Sequence, residues 1–156
     1  MSGMISSWAN SWNEIIRSVL FPDRTLKRLM LLPNDINIID FIERYFIRAG
    51  YTSRLLKDER VRIVYSDILG EPTPSHKVIK NEMVFDIYVK LDDLHNVSND
   101  RLKLRTYEIA DRILTLLTQE RYLYGYRFWV NGDYDLGTRT IGYARHCLSI
   151  GYMKVY

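Results

Sequence analysis

The chain has 156 residues, 47% of them hydrophobic and 26% charged, with a net charge of +3. That length suits one domain with its own core, and the charge balance is too near neutral to point to nucleic acid by itself. The single Cys147 excludes an intramolecular disulfide and a cysteine-cluster metal site, and no stretch reaches the roughly 18 apolar residues of a membrane span.

The 12 Tyr and 3 Trp suit surfaces that are partly apolar and partly wet, interfaces included, as well as a Tyr-rich core and rim. No basic start followed by a clean apolar run marks a secretory signal. Residues 5–20 place Trp8, Trp12, Ile15 and Val19 on one helical face. The stripe fits a helix packing on its own core. It also fits an N-terminal arm that lays Trp8 and Trp12 on a neighbour. Phe21-Pro22-Asp23 ends this helix, and Asp23 caps a short one containing Leu26, Leu29 and Met30, with Arg24, Lys27 and Arg28 on a basic face. Pro33 closes it. Asn34 or Asp35 is expected to cap a third helix, with Ile38, Phe41, Ile42, Tyr45, Phe46 and Ala49 as its stripe and Gly50 as its left-handed cap.

Val61, Ile63 and Tyr65 alternate with Arg62, Val64 and Ser66, which predicts a strand. Residues 67–80, punctuated by Gly70, Pro72 and Pro74, read as a long exposed loop. The clearest strand follows at 82–91, where Met83, Phe85, Ile87 and Val89 point one way and Val84, Asp86, Tyr88 and Lys90 the other. The two strands are expected to pair antiparallel. A helix is predicted over about 100–119, with Ile109, Ala110, Ile113 and Leu117 inward. Its first turns hold Arg101, Lys103 and Arg105, which the helix dipole disfavours. Residues 125–130 read as a third strand. Asn131-Gly132 is a tight-turn signal, but the polar run 133–140 suggests an excursion to a last strand from about Tyr143 to Tyr156. The expected fold is α+β: a small, mostly antiparallel sheet of about four strands packed against a long helix, with extra N-terminal helices.

The search for chemistry returns little. His76, His95 and His146 have no second ligand at zinc spacing. His146 and Cys147 are neighbours that a strand points to opposite faces. Asp92, Asp93 and His95 fall in a polar link where turn roles are the default. Glu82, Asp86 and Lys90 share a strand face, but the lysine stands four residues after the aspartate, not the two of nuclease sites. Cys147 and Ser149 lack a base, and no phosphate-cradling glycine loop is present. No catalytic residue, cofactor or metal is expected. Arg127, Arg139 and Arg145 lie among Trp129, Tyr134 and Tyr143. That mixture suits a protein interface, and alternatively a nucleic-acid-binding module that stacks bases on the aromatics.

Four stretches carry a family resemblance: Leu32-Pro33-Asn34-Asp35-Ile36-Asn37 running into Phe41 to Ile47; Val84 to Val89; Arg105 to Leu117; and Gly142-Tyr143-Ala144-Arg145. Over 32–156 the chain resembles the neck and tail-completion proteins of tailed bacteriophages, the head–tail joining proteins similar in fold to tail terminators. Residues 1–31 stand outside that pattern as an N-terminal helical extension. The resemblance implies a structural virion protein without enzymatic activity, assembled in the host cytoplasm. It implies a homo-oligomeric ring, usually of six or twelve copies, that meets portal or adaptor and tail-tube proteins, with DNA passing transiently through its channel and no membrane contact. The interface residues expected on this basis are Trp8, Trp12, Arg127, Trp129, Arg139, Tyr143 and Arg145.

Overall fold

The structure, a computed structural model, describes residues 4–50, 59–68, 81–98, 100–136 and 141–155. Its elements in chain order are α1 (Met4–Ile15), extended by a π-helical stretch Ile16–Leu20; α2 (Arg24–Leu29); α3 (Ile38–Asp40), running into a π-helical turn Phe41–Tyr45; β1 (Phe46–Arg48); β2 (Val61–Ile68); β3 (Asn81–Lys90); β4 (His95–Ser98); β5 (Arg101–Leu104); α4 (Arg105–Thr118); β6 (Tyr126–Leu136); and β7 (Tyr143–Lys154). The fold is α+β, as expected.

β3 is the middle of the sheet. The order is β1-β2-β3-β7-β6, with β1 and β2 parallel and every other pair antiparallel. Its alternation does what the sequence implies: Met83, Phe85, Ile87 and Val89 are all buried, while Val84, Asp86, Tyr88 and Lys90 are only half-buried on the other face. Helices cover the buried face. Trp12 of α1 packs 6.0 Å, ring to ring, from Phe85. α4 brings Ile109, Ala110, Ile113, Leu116 and Leu117 into the same cluster. α2 packs on α4 from outside. Its N-cap Asp23 accepts from the Leu26 amide at 2.8 Å and from Arg112 of α4 at 2.6 and 2.9 Å. Each fully buried Phe, Ile or Leu contributes about 1.5–3 kcal/mol relative to exposure, so this face holds most of the fold's hydrophobic stabilisation.

The structure corrects several expectations. The sheet has five strands instead of four, and a separate two-stranded sheet, β4–β5, stands beside it. The helix expected over 100–119 starts only at Arg105 and has 14 residues. Arg101-Leu102-Lys103-Leu104 alternates with period two, and β4 pairs with one side of its backbone. The change eases the dipole conflict, because Arg101 and Lys103 precede the helix and Glu108 joins Arg105 in its first turn. Arg105 turns back to the carbonyls of Asp93 at 2.9 Å and Leu29 at 3.1 Å.

The third helix is capped by Asn37, which accepts from the Asp40 amide at 2.8 Å, and ends at Tyr45. Phe46 and the following residues pair with β2 instead, Phe46 opposite Ile63. Gly50, with φ +85, thus follows a strand and does not cap a helix. Asn131-Gly132 is not a turn: β6 runs on to Leu136, with a register shift between Val130 and Gly132. Residues 69–80 of the expected loop lie outside the described residues. Residues 8–31 and the sheet share one hydrophobic core, so the N-terminal helices are layered onto the 32–156 fold.

Candidate functional site

Trp8 and Trp12 are not a free arm. Both are buried, at 6% and 4% exposure. The Trp8 ring stacks on Tyr152, with centroids 3.8 Å apart, and meets Tyr126 edge-on at 4.9 Å. Its indole N–H stands 3.2 Å from both Asp67 carboxylate oxygens. Trp12 stacks on Trp8 at 5.7 Å and meets Tyr65 edge-on at 5.6 Å. The interface expectation fails for these two because the open apolar face of the sheet lies within the same chain.

The C-terminal set divides. Tyr143 is buried, and its hydroxyl donates to the Glu59 carbonyl at 2.8 Å. Arg145 donates to Asp86 across the strand pair, at 2.9 and 3.2 Å, and lies over the Tyr88 ring. It is therefore committed within the chain, and so is Asp86, the acid of the strand face compared above with nuclease sites. Trp129 is half-buried and lies over Gly151, where an added Cβ would fall inside the indole. Glycine at 151 is what lets the ring lie flat. Arg127 is exposed and makes no ion pair among the described residues. Arg139 lies outside the described residues, as do His76, Gly70, Pro72 and Pro74. Asp93 forms an ion pair with Arg60 at 2.6 Å, and that guanidinium holds its carboxyl below the usual carboxylate range. Asp92 sits in the 3₁₀ turn Leu91–Asp93.

Among the described residues, two strand edges combine exposed charged and exposed apolar side chains. The first is β6, the last strand of the sheet. The bulge at its centre shifts the alternation, so that Asp133 stands opposite Leu148, Tyr134 opposite Cys147 and Asp135 opposite His146. His146 is buried, with Nδ1 2.8 Å from Asp135 and Nε2 3.3 Å from Asp133. The Tyr107 hydroxyl of α4 donates to Asp135, and its ring meets the imidazole edge-on at 4.9 Å. Those two hydrogen bonds, Tyr107 first and His146 second, lower the Asp135 pKa, and the same carboxylate raises that of Tyr107. The inner oxygens are thus spoken for, yet the Asp133 and Asp135 side chains are 62% and 60% exposed. Val130 and Tyr134 are exposed beside them.

The second surface is the β4–β5 hairpin. Val97 and Leu102 face each other across it and are 71% and 67% exposed. Arg101 and Lys103 are exposed on its opposite face and make no ion pair among the described residues. Asp100, with φ +59, turns the hairpin, a conformation that Asp tolerates. Between hairpin, α2 and α4 lies an open cleft of about 570 Å³, lined by Arg28, Lys103, Arg105, Glu108, Asp111 and Arg112 among others.

Tyr107, Asp133, Asp135, Val97, Leu102, Arg101 and Lys103 are exposed at these two edges without being singled out as interface residues by the sequence. A signal was present in both runs: Arg101-Leu102-Lys103 and Asp133-Tyr134-Asp135 each alternate charge and apolar group at strand spacing. None of the described residues forms a cluster able to hold a metal ion, and no helix among them is long and apolar enough to cross a membrane.

No curated protein matches the chain. Residues 13–134 match the model of the YomW family, a span that runs from α1 to the bulged half of β6 and includes both exposed edges up to Tyr134.

Proposed function

Because the chain belongs to the YomW family, which is phage-associated, we propose that it is a structural protein of the phage neck, a tail terminator or head–tail connector. In that role copies form a ring that joins the head or portal to the tail and lets DNA pass. The observation that carries the proposal is the pair of unlike open edges on one rigid α+β scaffold: an acidic one on β6 and a basic, apolar one on the β4–β5 hairpin. A closed ring requires two different patches on each subunit. The work assigned to the chain is contact, not catalysis, in keeping with the commitment of Asp86 to Arg145.

Native mass spectrometry and electron microscopy of the purified chain, alone and with portal, adaptor and tail-tube proteins, test the proposal. Rings, or incorporation into rings made by those partners, are the expected result. A chain that stays monomeric and binds none of them overturns it.

The alternative, a nucleic-acid-binding module, loses Arg145 to Asp86 but finds at Arg28 and Lys103 in the cleft two cations with no ion pair among the described residues. Steeply salt-dependent binding of single-stranded DNA would favour it; absent binding removes it.

A further inference from the structure

We infer that β5 of one copy adds to the open edge of β6 of the next, so that the sheet continues from subunit to subunit. The inference rests on the ring proposal and names its interface.

Both strands have an unpaired side among the described residues: β6 ends the five-stranded sheet, and β5 has only β4 as a neighbour. An unpaired strand edge is a row of free N–H and C=O groups that another strand can satisfy. The side chains fit a single register. Set antiparallel, Arg101 meets Asp135, Leu102 meets Tyr134, and Lys103 meets Asp133. Residues directly opposite in a sheet share a face, so both ion pairs form on one side and the apolar pair on the other. The apolar pair then completes a row, because Val97 lies opposite Leu102 within the hairpin and Cys147 opposite Tyr134 within the sheet.

The same charges reject the wrong partners. Two β6 edges would bring Asp133 and Asp135 against their copies, and two β5 edges would oppose Arg101 and Lys103. Edge charges commonly guard against such pairing. Here each edge carries a single sign over the matched residues, which leaves the unlike pairing open. Only the unlike pairing is head-to-tail, the kind that closes into a ring. The two edges also sit on different flanks of α4. Tyr107 reaches toward Asp135 on β6, whereas Glu108 accepts from Asn96 of β4 at 3.1 Å. One subunit can therefore use both edges at once. A contact of only four residues is weak alone, and ring closure strengthens it because every subunit is then held twice.

The test compares four full-length proteins by analytical ultracentrifugation and native mass spectrometry: wild type, R101D/K103D, D133R/D135R, and the quadruple exchange. Wild type is expected to assemble, each double variant to lose assembly, and the quadruple exchange to recover it. Assembly that persists unchanged in both double variants overturns the edge pairing and leaves the ring proposal standing. Open chains of wild type that the double variants abolish support the edge pairing and overturn the ring. A monomeric wild type overturns the edge pairing, and the ring proposal falls with it only if the chain also binds none of the portal, adaptor and tail-tube proteins. Because D133R/D135R also disturbs His146, mixed Leu102→Cys and Tyr134→Cys proteins, each also carrying Cys147→Ser because Cys147 lies opposite Tyr134, provide a second measurement. A cross-link forming only in the mixture supports the register, and its absence, where wild type assembles, refutes it.

Discussion

Replacing Trp8 by alanine separates a core tryptophan from an interface tryptophan. The indole is buried against Tyr152 and Tyr126, and its N–H is shared between the Asp67 oxygens, of which Oδ1 also accepts from the Tyr152 hydroxyl at 3.1 Å. Truncation removes the ring and opens a cavity beside Tyr152, a side chain that is itself fully buried. Changes of this kind cost about 3–5 kcal/mol. For a chain of this size that corresponds to a fall in Tm of roughly 6–20 °C. Trp8→Phe keeps most of the apolar volume and loses the N–H. Asp67 still holds Tyr152, so the expected loss is about 1–2 kcal/mol. Guanidinium unfolding followed by far-UV circular dichroism measures both variants, with the slope of free energy against denaturant checked for constancy. A Trp8→Ala loss below about 1 kcal/mol at unchanged slope would refute a structural role for this ring.

Three further expectations concern the sheet and the helix contacts. Gly151→Ala should push the Trp129 indole aside, visibly shifting its fluorescence and costing about 1–3 kcal/mol. In Trp129→Ala the same change should cost much less, so the double-mutant cycle should be strongly non-additive; additive losses would place the strain elsewhere. Arg145→Ala should cost no more than about 1 kcal/mol, because both partners of the Asp86 pair remain 21% exposed; a larger loss would mean that the pair anchors more than itself. For Asp23, burial alone would raise the pKa, but the hydrogen bonds from Arg112 and the Leu26 amide, with the nearby positive charges, lower it. Its charge-dependent contribution is therefore complete above the unfolded carboxylate range near pH 4 and is lost as pH falls through the lower folded value. Asp23→Asn keeps a cap and loses the charge, so it should flatten the acid limb of the stability profile. An unchanged acid limb would count against the Arg112 contact as its source.

The elements legible in the sequence were those whose periodicity and local chemistry agreed. β3 alternates cleanly and is the central strand. The helix over 5–20 and the Asp23 cap appear as expected. β2, β3 and β7 emerged close to the expected positions because each is buried on at least one face. The structure departs from the sequence pattern where a local signal meets a stronger distant partner. Phe46 continues a helical stripe, but its backbone pairs with Ile63. Asn131-Gly132 has turn chemistry, yet β7 pairs with the residues on both sides of it. Arg101 to Leu104 was absorbed into a helix because the alternation there is only four residues long.

The class of the fold, the inward face of β3 and the stripes of α1 and α4 are legible in the order of residues, because burial imposes a period on it. The same order carries the two charge alternations at 101–103 and 133–135. What those patterns face depends on the folded chain. It turned Trp8 and Trp12 into core, tied Arg145 to Asp86 and Tyr143 to Glu59, and left β5 and β6 as open edges. The reason is physical: whether a side chain meets its own core or a neighbour depends on which backbone is hydrogen-bonded beside it, and those partners here are separated by tens of residues in the chain.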